Sequence, residues 1–382
     1  MNILFYEDYI NPLTGGVQRV SYNVAKSLRV KGIRSFVAHR CDDSLEILDE
    51  YVYEEEIRIT GYPNDDIKKL IHFICKNQIG IIINQRADSI NDTKLLYKIK
   101  NIVGIPLFSF MHLAPTNTRD SYKHKDLRFP KVYLRSLVKQ FIFYFYKIDK
   151  KVLSYTYKRS DKVVWLSSAF YPDIEYVLRQ KLDMKKFYAI PNSVTYSEPI
   201  RLKEWQNKEK IVLVVSRINE IQKRLSRVLD IWNLLFNKLP DWKLLIVGDG
   251  EQLDDYKRLS VKMDLKNIFF EGQQNPLSYY KKASVFFMTS VAEAFPMTIL
   301  EAQQMGVVPI AFNSYKSVHD IITDGENGYV IENDNIKKFA EKACLLMTNF
   351  DIWKDLSEKA IESTKRFSQD IIADLWYKLL TE

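Results

Sequence analysis

Two glutamates, Glu293 and Glu301, stand around the predicted start of a helix with seven residues between them. The apolar run 285–288 predicts a buried strand before them, and Pro296 is typical of a first helical position. Amides at a helix N-terminus lack intrahelical partners and carry partial positive charge, so they bind anions. The amides that we expect to form such an anion site belong to Phe295, Met297 and Thr298.

The two carboxylates bear on which anion this site could hold. A carboxylate repels a bare phosphate, but it accepts hydrogen bonds from a pair of sugar hydroxyls. Glu293 and Glu301 therefore fit a diphosphate that carries a sugar ring on each side, which is a nucleotide sugar. The spacing alone fits equally well with one glutamate at the helix start and the other in solvent.

Two cations could neutralise such a diphosphate. Arg217 ends the apolar strand 210–218, and Lys223 follows six residues later, before a predicted helix. A strand end and the next helix start lie at the same edge of a parallel sheet, where Arg gives bidentate donation and Lys a point charge. A surface Arg and Lys without any function would show the same pattern.

Glycines and one histidine mark the ends of other predicted strands. Gly15 and Gly16 follow the first strand, and Gly248 and Gly250 follow another, where they would let the backbone approach a ligand. Plain tight turns use the same residues. His112 ends the apolar strand 105–112, where it is either a structural residue or a ligand contact.

Strands and helices alternate along the whole chain, which predicts an α/β protein with parallel sheets. Its 382 residues exceed what one hydrophobic core usually supports, so we expect two Rossmann-like, doubly wound domains. The polar stretch 196–209 is the predicted linker. We expect an N-terminal domain over 1–195, a second domain over 196–365, and a last helix over 366–382.

The string EAFPMTILEA, followed by Gly306 and Pro309, resembles the Glu-x7-Glu signature of retaining nucleotide-sugar glycosyltransferases of the GT-B fold, glycosyltransferase family 4. Further phrases resemble the same family: GGVQRVSYNVAKSLRVKG near the N-terminus, SR followed by Lys223, GDG at 248–250 and DGENG at 324–328. The resemblance covers nearly the whole chain and is tightest over 210–330. It implies two domains facing a central cleft, with the last helix crossing back to the first.

The resemblance also implies roles for single residues. Glu301 would hold the ribose diol and Glu293 the hydroxyls of the transferred sugar, with His112 beside that sugar. Gly16 would face the donor phosphates from the first domain, while Gly248 would lie near the nucleoside. The remaining donor-binding and charge-stabilising residues would be Arg217, Lys223, Phe295, Pro296, Met297 and Thr298, without a metal ion.

Three departures from the family pattern bear on the identity of the donor sugar. Arg224 stands where glycine often follows the lysine, and Ala294 where glycine often follows the first glutamate. Residues 313–318 replace the usual glycine-rich turn. The loop towards Tyr279 and Tyr280 is where the family places the nucleobase, although Tyr279 could equally be a core residue.

The net charge of +8 comes from one segment. Residues 119–162 hold thirteen Lys or Arg against four Asp, with many aromatic residues, and Lys131, Arg135 and Lys139 recur at helical spacing. Such a segment is typical of contact with an anionic membrane surface or a lipid-linked diphosphate, and equally of core helices with a solvated cationic face. No nucleic-acid-binding module accompanies it, so nucleic acid is not an expected partner.

Composition excludes several classes of protein. With 46% hydrophobic and 27% charged residues, the chain is of the globular type. No run reaches the ~18 apolar residues of a membrane span, and the N-terminus lacks the pattern of a signal peptide. Three distant cysteines and five scattered histidines predict neither a disulfide framework nor a metal site. We expect action in the cytoplasm, with the inner face of the membrane as the place of any peripheral contact.

Together these patterns predict a retaining hexosyltransferase. It would move a hexosyl unit from UDP- or GDP-hexose to a saccharide acceptor, which we expect to be a lipid-linked intermediate of bacterial surface polysaccharide. The nucleotide sugar is a co-substrate, and no cofactor is expected. No carboxylate pair suggests a double-displacement nucleophile, so we expect same-face attack through an oxocarbenium-like state. Two other classes stay open: a sugar-nucleotide epimerase of the same fold, and a non-catalytic sugar-nucleotide-binding subunit.

Overall fold

The computed structural model describes residues 1–12, 15–41, 50–61, 63–115, 126–146, 148–196, 198–200 and 208–382, with the backbone alone at 63, 64 and 143–146. The chain divides into two compact units. The first comprises Met1–Thr116, Lys147–Thr195 and Phe367–Glu382, and the second comprises Asn117–Tyr146 and Tyr196–Arg366.

The helices are numbered along the described chain. They are α1 (Gly16–Val30), α2 (Pro63–Lys76), α3 (Ile90–Val103), α4 (Pro130–Tyr146), α5 (Ile148–Arg159), α6 (Tyr171–Leu178), α7 (Leu225–Asn233), α8 (Leu253–Lys262), α9 (Leu277–Lys282), α10 (Met297–Gln304), α11 (Val318–Ile321), α12 (Ile336–Thr348), α13 (Phe350–Ser363) and α14 (Gln369–Thr381).

The first unit is built on a parallel sheet with the order β3-β2-β1-β4-β5-β6-β7. Its strands are β1 (Asn2–Tyr6), β2 (Arg34–His39), β3 (Glu56–Arg58), β4 (Ile79–Asn84), β5 (Leu107–Met111), β6 (Lys162–Trp165) and β7 (Phe187–Ala189). The chain runs to one side from β1 through β3 and then to the other side from β4. The direction of winding therefore reverses between β1 and β4.

Local sequence explains the helices of this unit. In α1, Val20, Val24 and Leu28 are buried at four-residue spacing, which gives the helix one apolar face. In α3, the Ser89 side chain caps the first turn by accepting from the Asp92 amide, and Gly104 ends the helix in the left-handed conformation.

The second unit is built on another parallel sheet, with the order β10-β9-β8-β11-β12-β13. Its strands are β8 (Ile211–Val215), β9 (Lys243–Val247), β10 (Ile268–Gly272), β11 (Val285–Met288), β12 (Val308–Asn313) and β13 (Tyr329–Glu332). The winding reverses between β8 and β11. Both sheets are doubly wound, so the predicted pair of Rossmann-like domains is confirmed.

The segment that leads into α4 lies in the second unit, whereas the sequence-based division placed it in the first domain. Phe129 and Val132 enter the apolar core of the second unit, where the Phe129 ring lies 5.2 Å from the Tyr256 ring. Arg128 donates to both carboxylate oxygens of Asp230, at 2.7 and 2.8 Å. These contacts join positions about 100 residues apart, which no local pattern in the sequence reveals.

Helix α14 lies in the first unit. It packs against α1, with an ion pair between Lys31 and Asp374, and Lys162 donates to the Leu379 carbonyl at 2.9 Å. Part of the predicted linker, residues 197 and 201–207, lies outside the described residues.

Candidate functional site

The predicted site residues of the second unit gather where its winding reverses. β8 and β11 are neighbours in the sheet, and their carboxyl ends open into the loops 216–224 and 289–296. In open parallel α/β sheets, ligands bind beyond the carboxyl ends of the strands at such a reversal. The fold therefore places both loops at the preferred ligand position.

Three hydrogen bonds hold these two loops together. The Val291 amide donates to the Gln222 carbonyl at 2.8 Å, and the Gln222 side chain donates to the Ala292 carbonyl at 2.8 Å. The Thr289 hydroxyl donates to the Lys223 carbonyl at 2.9 Å. Because backbone groups make most of these bonds, the separation between the residues of the two loops is set by the fold.

This arrangement brings Lys223 and Glu293 into direct contact. The Lys223 Nζ atom lies 2.5 Å from Glu293 Oε1, and their side chains are 18% and 12% exposed. The sequence predicted both residues for the site, but it assigned the lysine to the diphosphate and the glutamate to the sugar. In the structure, each neutralises the other.

Arg217 is the cation that the site leaves unpaired. It is exposed, and it makes no hydrogen bond or ion pair within the described part of the chain. The backbone on both sides of it is fixed, since the Ser216 amide donates to Val247 and the Ile218 amide donates to Asp249. A free guanidinium on a fixed backbone is suited to binding an anion.

Gly248 and Gly250 lie so close to neighbouring backbone that a side chain at either position would clash. A Cβ atom on Gly248 would lie 1.9 Å from the Ser216 carbonyl oxygen, and one on Gly250 would lie 2.1 Å from that of Ile218. Gly248 also has a φ of +141°. Both glycines let the loop after β9 lie directly against the backbone that carries Arg217. Contact with a nucleoside stays a prediction.

The N-terminus of α10 offers the amides that the sequence predicted. Pro296 precedes the helix in an extended conformation, and no side chain caps it. The Met297 and Thr298 amides donate to no acceptor in the described chain, whereas Phe295 and Pro296 are buried. The two amides are free to bind an anion, while the two buried residues shape the turn.

Glu301 is buried, and only 2% of its surface is exposed. The fully buried Tyr280 hydroxyl donates to Glu301 Oε2 at 3.0 Å. Sequence reasoning missed this tyrosine, because it placed 279 and 280 in a loop near a nucleobase, whereas they lie in α9. The Tyr279 hydroxyl instead donates to Glu271 at 3.1 Å.

Lys208, which lies in the predicted linker, is a second positioning residue that sequence reasoning missed. Its ammonium group donates to three carbonyls: Tyr280 at 2.8 Å, Ala283 at 2.8 Å and Met305 at 2.6 Å. These carbonyls lie in or just beyond the last turns of α9 and α10. Lys208 therefore joins the ends of the two helices that carry Tyr280 and Glu301.

Arg227 is a buried residue that holds the loop after β11 in place. It is 5% exposed, donates to the Thr289 carbonyl at 3.3 Å and pairs with Asp334. Its guanidinium lies 5.1 Å from the centre of the Phe312 ring, and burial lowers the pKa of Arg227 to about 10. The sequence showed it only as one more residue of a helix.

Two departures from the family pattern have different structural consequences. Arg224 has a φ of +46°, a left-handed conformation that favours glycine, which accounts for the glycine that often stands there. Ala294 has no positive φ, so alanine causes no backbone strain at that position.

Two predicted site residues, Gly16 and His112, lie in the first unit. Gly16 is the first residue of α1, and a Cβ there would meet nothing within 4 Å, so packing does not require glycine. His112 Nε2 lies 2.5 Å from Gln85 Oε1. Burial lowers the pKa of His112 to about 3, so the ring is neutral and its Nε2 donates to Gln85.

The described residues contain no group of three or more His, Cys, Asp or Glu side chains that could hold a metal ion. Among them, no helix has the length and apolarity to cross a membrane.

Comparison with known proteins identifies the class. Residues 198–366 match the family described as glycosyl transferases group 1. The structure of Anabaena Alr3699/HepE in complex with UDP and glucose aligns with a TM-score of 0.77 at 16% identity, covering 100% of this chain and 99% of that one. The predicted GT-B class of fold is confirmed, and the chain is a glycosyltransferase.

Two relatives resemble the chain at the level of sequence. An uncharacterized glycosyltransferase of Haemophilus influenzae is 26% identical over 96% of both chains. The GalNAc-alpha-(1->4)-GalNAc-alpha-(1->3)-diNAcBac-PP-undecaprenol alpha-1,4-N-acetyl-D-galactosaminyltransferase of Campylobacter jejuni is 25% identical over 52% of this chain and 55% of that protein.

Proposed function

We propose that this protein transfers a hexosyl unit from a UDP-hexose to a saccharide acceptor with retention of the anomeric configuration. The observation that carries the proposal is the contact between Lys223 and Glu293, at the same sheet edge as the free amides of α10 and as Arg217, which has no partner among the described residues. A cation, a carboxylate and free donors at one sheet edge match a diphosphate that is bonded to a polyhydroxylated ring. The UDP in the Anabaena structure supports uracil as the base of the donor.

The charges of the site define the chemical step. Departure of the nucleotide builds negative charge on the diphosphate, and Arg217, Lys223 and the amides at Met297 and Thr298 stabilise that charge. These groups provide the charge stabilisation without a metal ion. Glu293 holds hydroxyls of the transferred sugar and so orients the anomeric carbon, while Glu301 holds the ribose diol. The acceptor then attacks the face from which the nucleotide leaves, through an oxocarbenium-like state.

A thermal-shift panel tests the donor. Each of UDP, UDP-glucose, UDP-galactose, UDP-N-acetylglucosamine and GDP-mannose is added at about 100 times its dissociation constant, which stabilises the folded state by about 2.7 kcal/mol. We expect a clear rise in melting temperature with the UDP compounds, and the Arg217→Ala variant should lose about half of that rise or more. A rise with GDP-mannose alone would reassign the base, and no rise with any compound would refute the proposal.

Product analysis tests the reaction. Incubation with the donor that binds and a polyprenyl-diphosphate saccharide should give an α-linked product from an α-linked donor, equally in the presence of EDTA. If incubation with the donor alone converted its sugar into another sugar, the protein would be an epimerase instead. A covalently glycosylated side chain after incubation with a slow fluorinated donor would refute same-face attack without an enzyme-bound intermediate.

We further propose that the acceptor is lipid-linked and that α4 contacts an anionic membrane. The diphosphate-linked polyprenol in the name of the Campylobacter relative supports such an acceptor. In α4, Leu134, Leu137, Val138 and Phe141 follow the i, i+3, i+4, i+7 pattern of one helix face, and all four are exposed. The opposite face is buried in the second unit, where it includes Val132. The helix therefore presents an apolar face to solvent.

The charges around this face favour an anionic bilayer over a second copy of the chain. Lys131, Arg135 and Lys139 follow one side of the helix, and residues 127–142 contain no Asp or Glu. Two such faces packed together would bring like charges into contact, whereas anionic headgroups attract each cation by about 1 kcal/mol. The predicted basic segment begins at residue 119, before α4, and its residues 119–125 lie outside the described residues.

Vesicle flotation tests this surface without any activity assay. The protein should float with phosphatidylglycerol vesicles, much less with phosphatidylcholine vesicles, and less as salt is raised. Leu134→Ser with Val138→Ser should weaken binding about tenfold, while Val261→Ser, another exposed apolar residue of the second unit, should leave it unchanged. Equal flotation of the double variant would refute the proposal.

A further inference from the structure

Tyr315 has a buried hydroxyl group that the described chain leaves without a hydrogen-bond partner. The residue is 7% exposed and lies in the turn after β12, within the stretch 313–318 that departs from the family pattern. Buried hydroxyls are nearly always paired, because leaving one unpaired is unfavourable. The partner of this hydroxyl therefore comes from outside the described chain, as a water molecule or as a ligand group that displaces it.

The turn that carries Tyr315 is held against the candidate site. β12 lies beside β11 with Ala311 opposite Met288, so the two strands end at the same edge of the sheet. The Ser314 hydroxyl donates to the Ser290 carbonyl at 2.5 Å, which joins the turn after β12 to the turn that carries Glu293.

The Tyr315 hydroxyl is a hydrogen-bond donor under all ordinary conditions. Burial, and then the neighbouring Glu293 carboxylate, raise the pKa of Tyr315 well above its ordinary value. The two side chains are not hydrogen-bonded to each other. A small polar group that lies between them could therefore bond to both.

A sugar hydroxyl is such a group. The ionised Glu293 can only accept hydrogen bonds, and one of its oxygens already accepts from Lys223. A hydroxyl that donates to Glu293 keeps its own lone pairs, and these need a donor when water is excluded. Tyr315 supplies a donor that stays protonated.

We propose that Tyr315 is a specificity-determining residue for the donor sugar, and that its hydroxyl donates to the same sugar hydroxyl that donates to Glu293. The inference rests on the proposed function and deepens it. A hexose that lacks this hydroxyl, or carries it in the opposite configuration, leaves both Tyr315 and Glu293 unsatisfied. Such donors are rejected.

The first test needs no ligand. Tyr315→Phe removes a hydroxyl that has no partner in the free protein, so the melting temperature should stay the same or rise by roughly 2–4 °C. Tyr256→Phe is the matched control, because the Tyr256 hydroxyl is equally buried but donates to the buried Glu220. The control should melt at a lower temperature. A fall of similar size in Tyr315→Phe would show a structural hydroxyl and overturn the inference.

The second test measures binding by calorimetry. Tyr315→Phe should bind UDP as the wild type does, and should bind the preferred UDP-hexose about tenfold more weakly. A set of deoxy analogues of that donor then identifies the hydroxyl. For one analogue the wild type and Tyr315→Phe should bind equally, because the group that Tyr315 contacts is already missing.

The outcomes separate this inference from the proposed function. The role of Tyr315 would be overturned if Tyr315→Phe lost the same affinity for every deoxy analogue, or if it lost no affinity for the parent donor. In both cases the binding of UDP would still support the donor site. The absence of binding of any nucleotide sugar to the wild type would overturn both.

Discussion

Replacement of Glu293 by glutamine should have opposite effects on two ligands. Glu293→Gln removes the negative charge beside Lys223 and keeps the size of the side chain. In the free protein, the 2.5 Å contact between Lys223 Nζ and Glu293 Oε1 neutralises the lysine, so a diphosphate must compete with the carboxylate for this cation. UDP should therefore bind the variant more tightly, whereas a UDP-hexose also loses the carboxylate that holds its sugar.

The magnitude follows from Coulomb's law. At an effective dielectric constant of about 20, unit charges about 6 Å apart repel by about 3 kcal/mol. Because Lys223 and Glu293 are 18% and 12% exposed, solvent and ions screen part of this repulsion, which leaves about 1.5 kcal/mol. The dissociation constant for UDP should then fall about tenfold. The lost bonds between carboxylate and sugar, about 1.5–3 kcal/mol each, together exceed this gain, so the UDP-hexose should bind the variant more weakly than the wild type.

Isothermal titration calorimetry of both ligands measures the two effects, and turnover should fall at least tenfold. Asp241→Asn is the matched control. Asp241 pairs with Lys210 at 3.0 Å, and both lie before β8 and β9, at the amino ends of the strands and away from the site. This variant should bind both ligands as the wild type does. If Glu293→Gln bound UDP no more tightly and kept full affinity for the UDP-hexose, the reasoning about the site would be wrong.

Three further predictions concern single residues. Gly248→Ala should lower the free energy of unfolding by about 3 kcal/mol or more, because the added Cβ would lie 1.9 Å from a backbone oxygen. Gly272→Ala is the control, since a Cβ there meets nothing within 4 Å, and it should cost only about 1 kcal/mol. Urea titration measures both free energies. Arg217→Ala should change stability by less than about 0.5 kcal/mol but weaken UDP binding at least tenfold, and a loss of stability instead would show a structural arginine. Burial lowers the pKa of His112 in the folded protein from 6.5 to about 3, so below about pH 6.5 the unfolded chain takes up a proton that the folded protein does not. The free energy of unfolding therefore falls as the pH drops from about 6.5 towards 3. Urea midpoints at pH 7.5, 6 and 5 should therefore fall less in His112→Gln than in the wild type.

Much of the fold was predictable because its signals are local. Apolar runs predicted strands such as 285–288, and Pro296 and Gly306 marked the limits of α10 within two residues. The glycine at 306 has a φ of +67°, which explains why that residue type ends the helix. Signals of this kind depend only on neighbours in the sequence.

The candidate site was predictable in composition but not in its pairings. Glu293, Lys223 and Arg217 were all identified, yet the sequence could not show that the lysine and the glutamate neutralise each other. Nor did it identify Tyr280 as the partner of Glu301, or the buried hydroxyl of Tyr315. These contacts cross between neighbouring strands, loops and helices, and they depend on the order of the strands in the sheet.

The basic segment shows the limit most clearly. Its amphipathic pattern fitted both a core helix and a membrane-facing helix, and in the structure α4 has one face in the core of the second unit and an apolar face in solvent. Helical spacing shows which residues share a face. It does not show which face finds a partner, because that depends on distant residues such as Asp230 and Tyr256.

The sequence by itself determined which segments become strands and helices, that two Rossmann-like domains form, and which charged residues stand at strand and helix ends. Backbone propensity and the period of apolar residues act over a few positions, so they are present in the sequence. The tertiary structure alone decided that Lys223 contacts Glu293, that Arg217 finds no partner in the described part of the chain, and which hydroxyls are buried. Those outcomes follow from the reversal of winding between β8 and β11, which brings together loops about 70 residues apart.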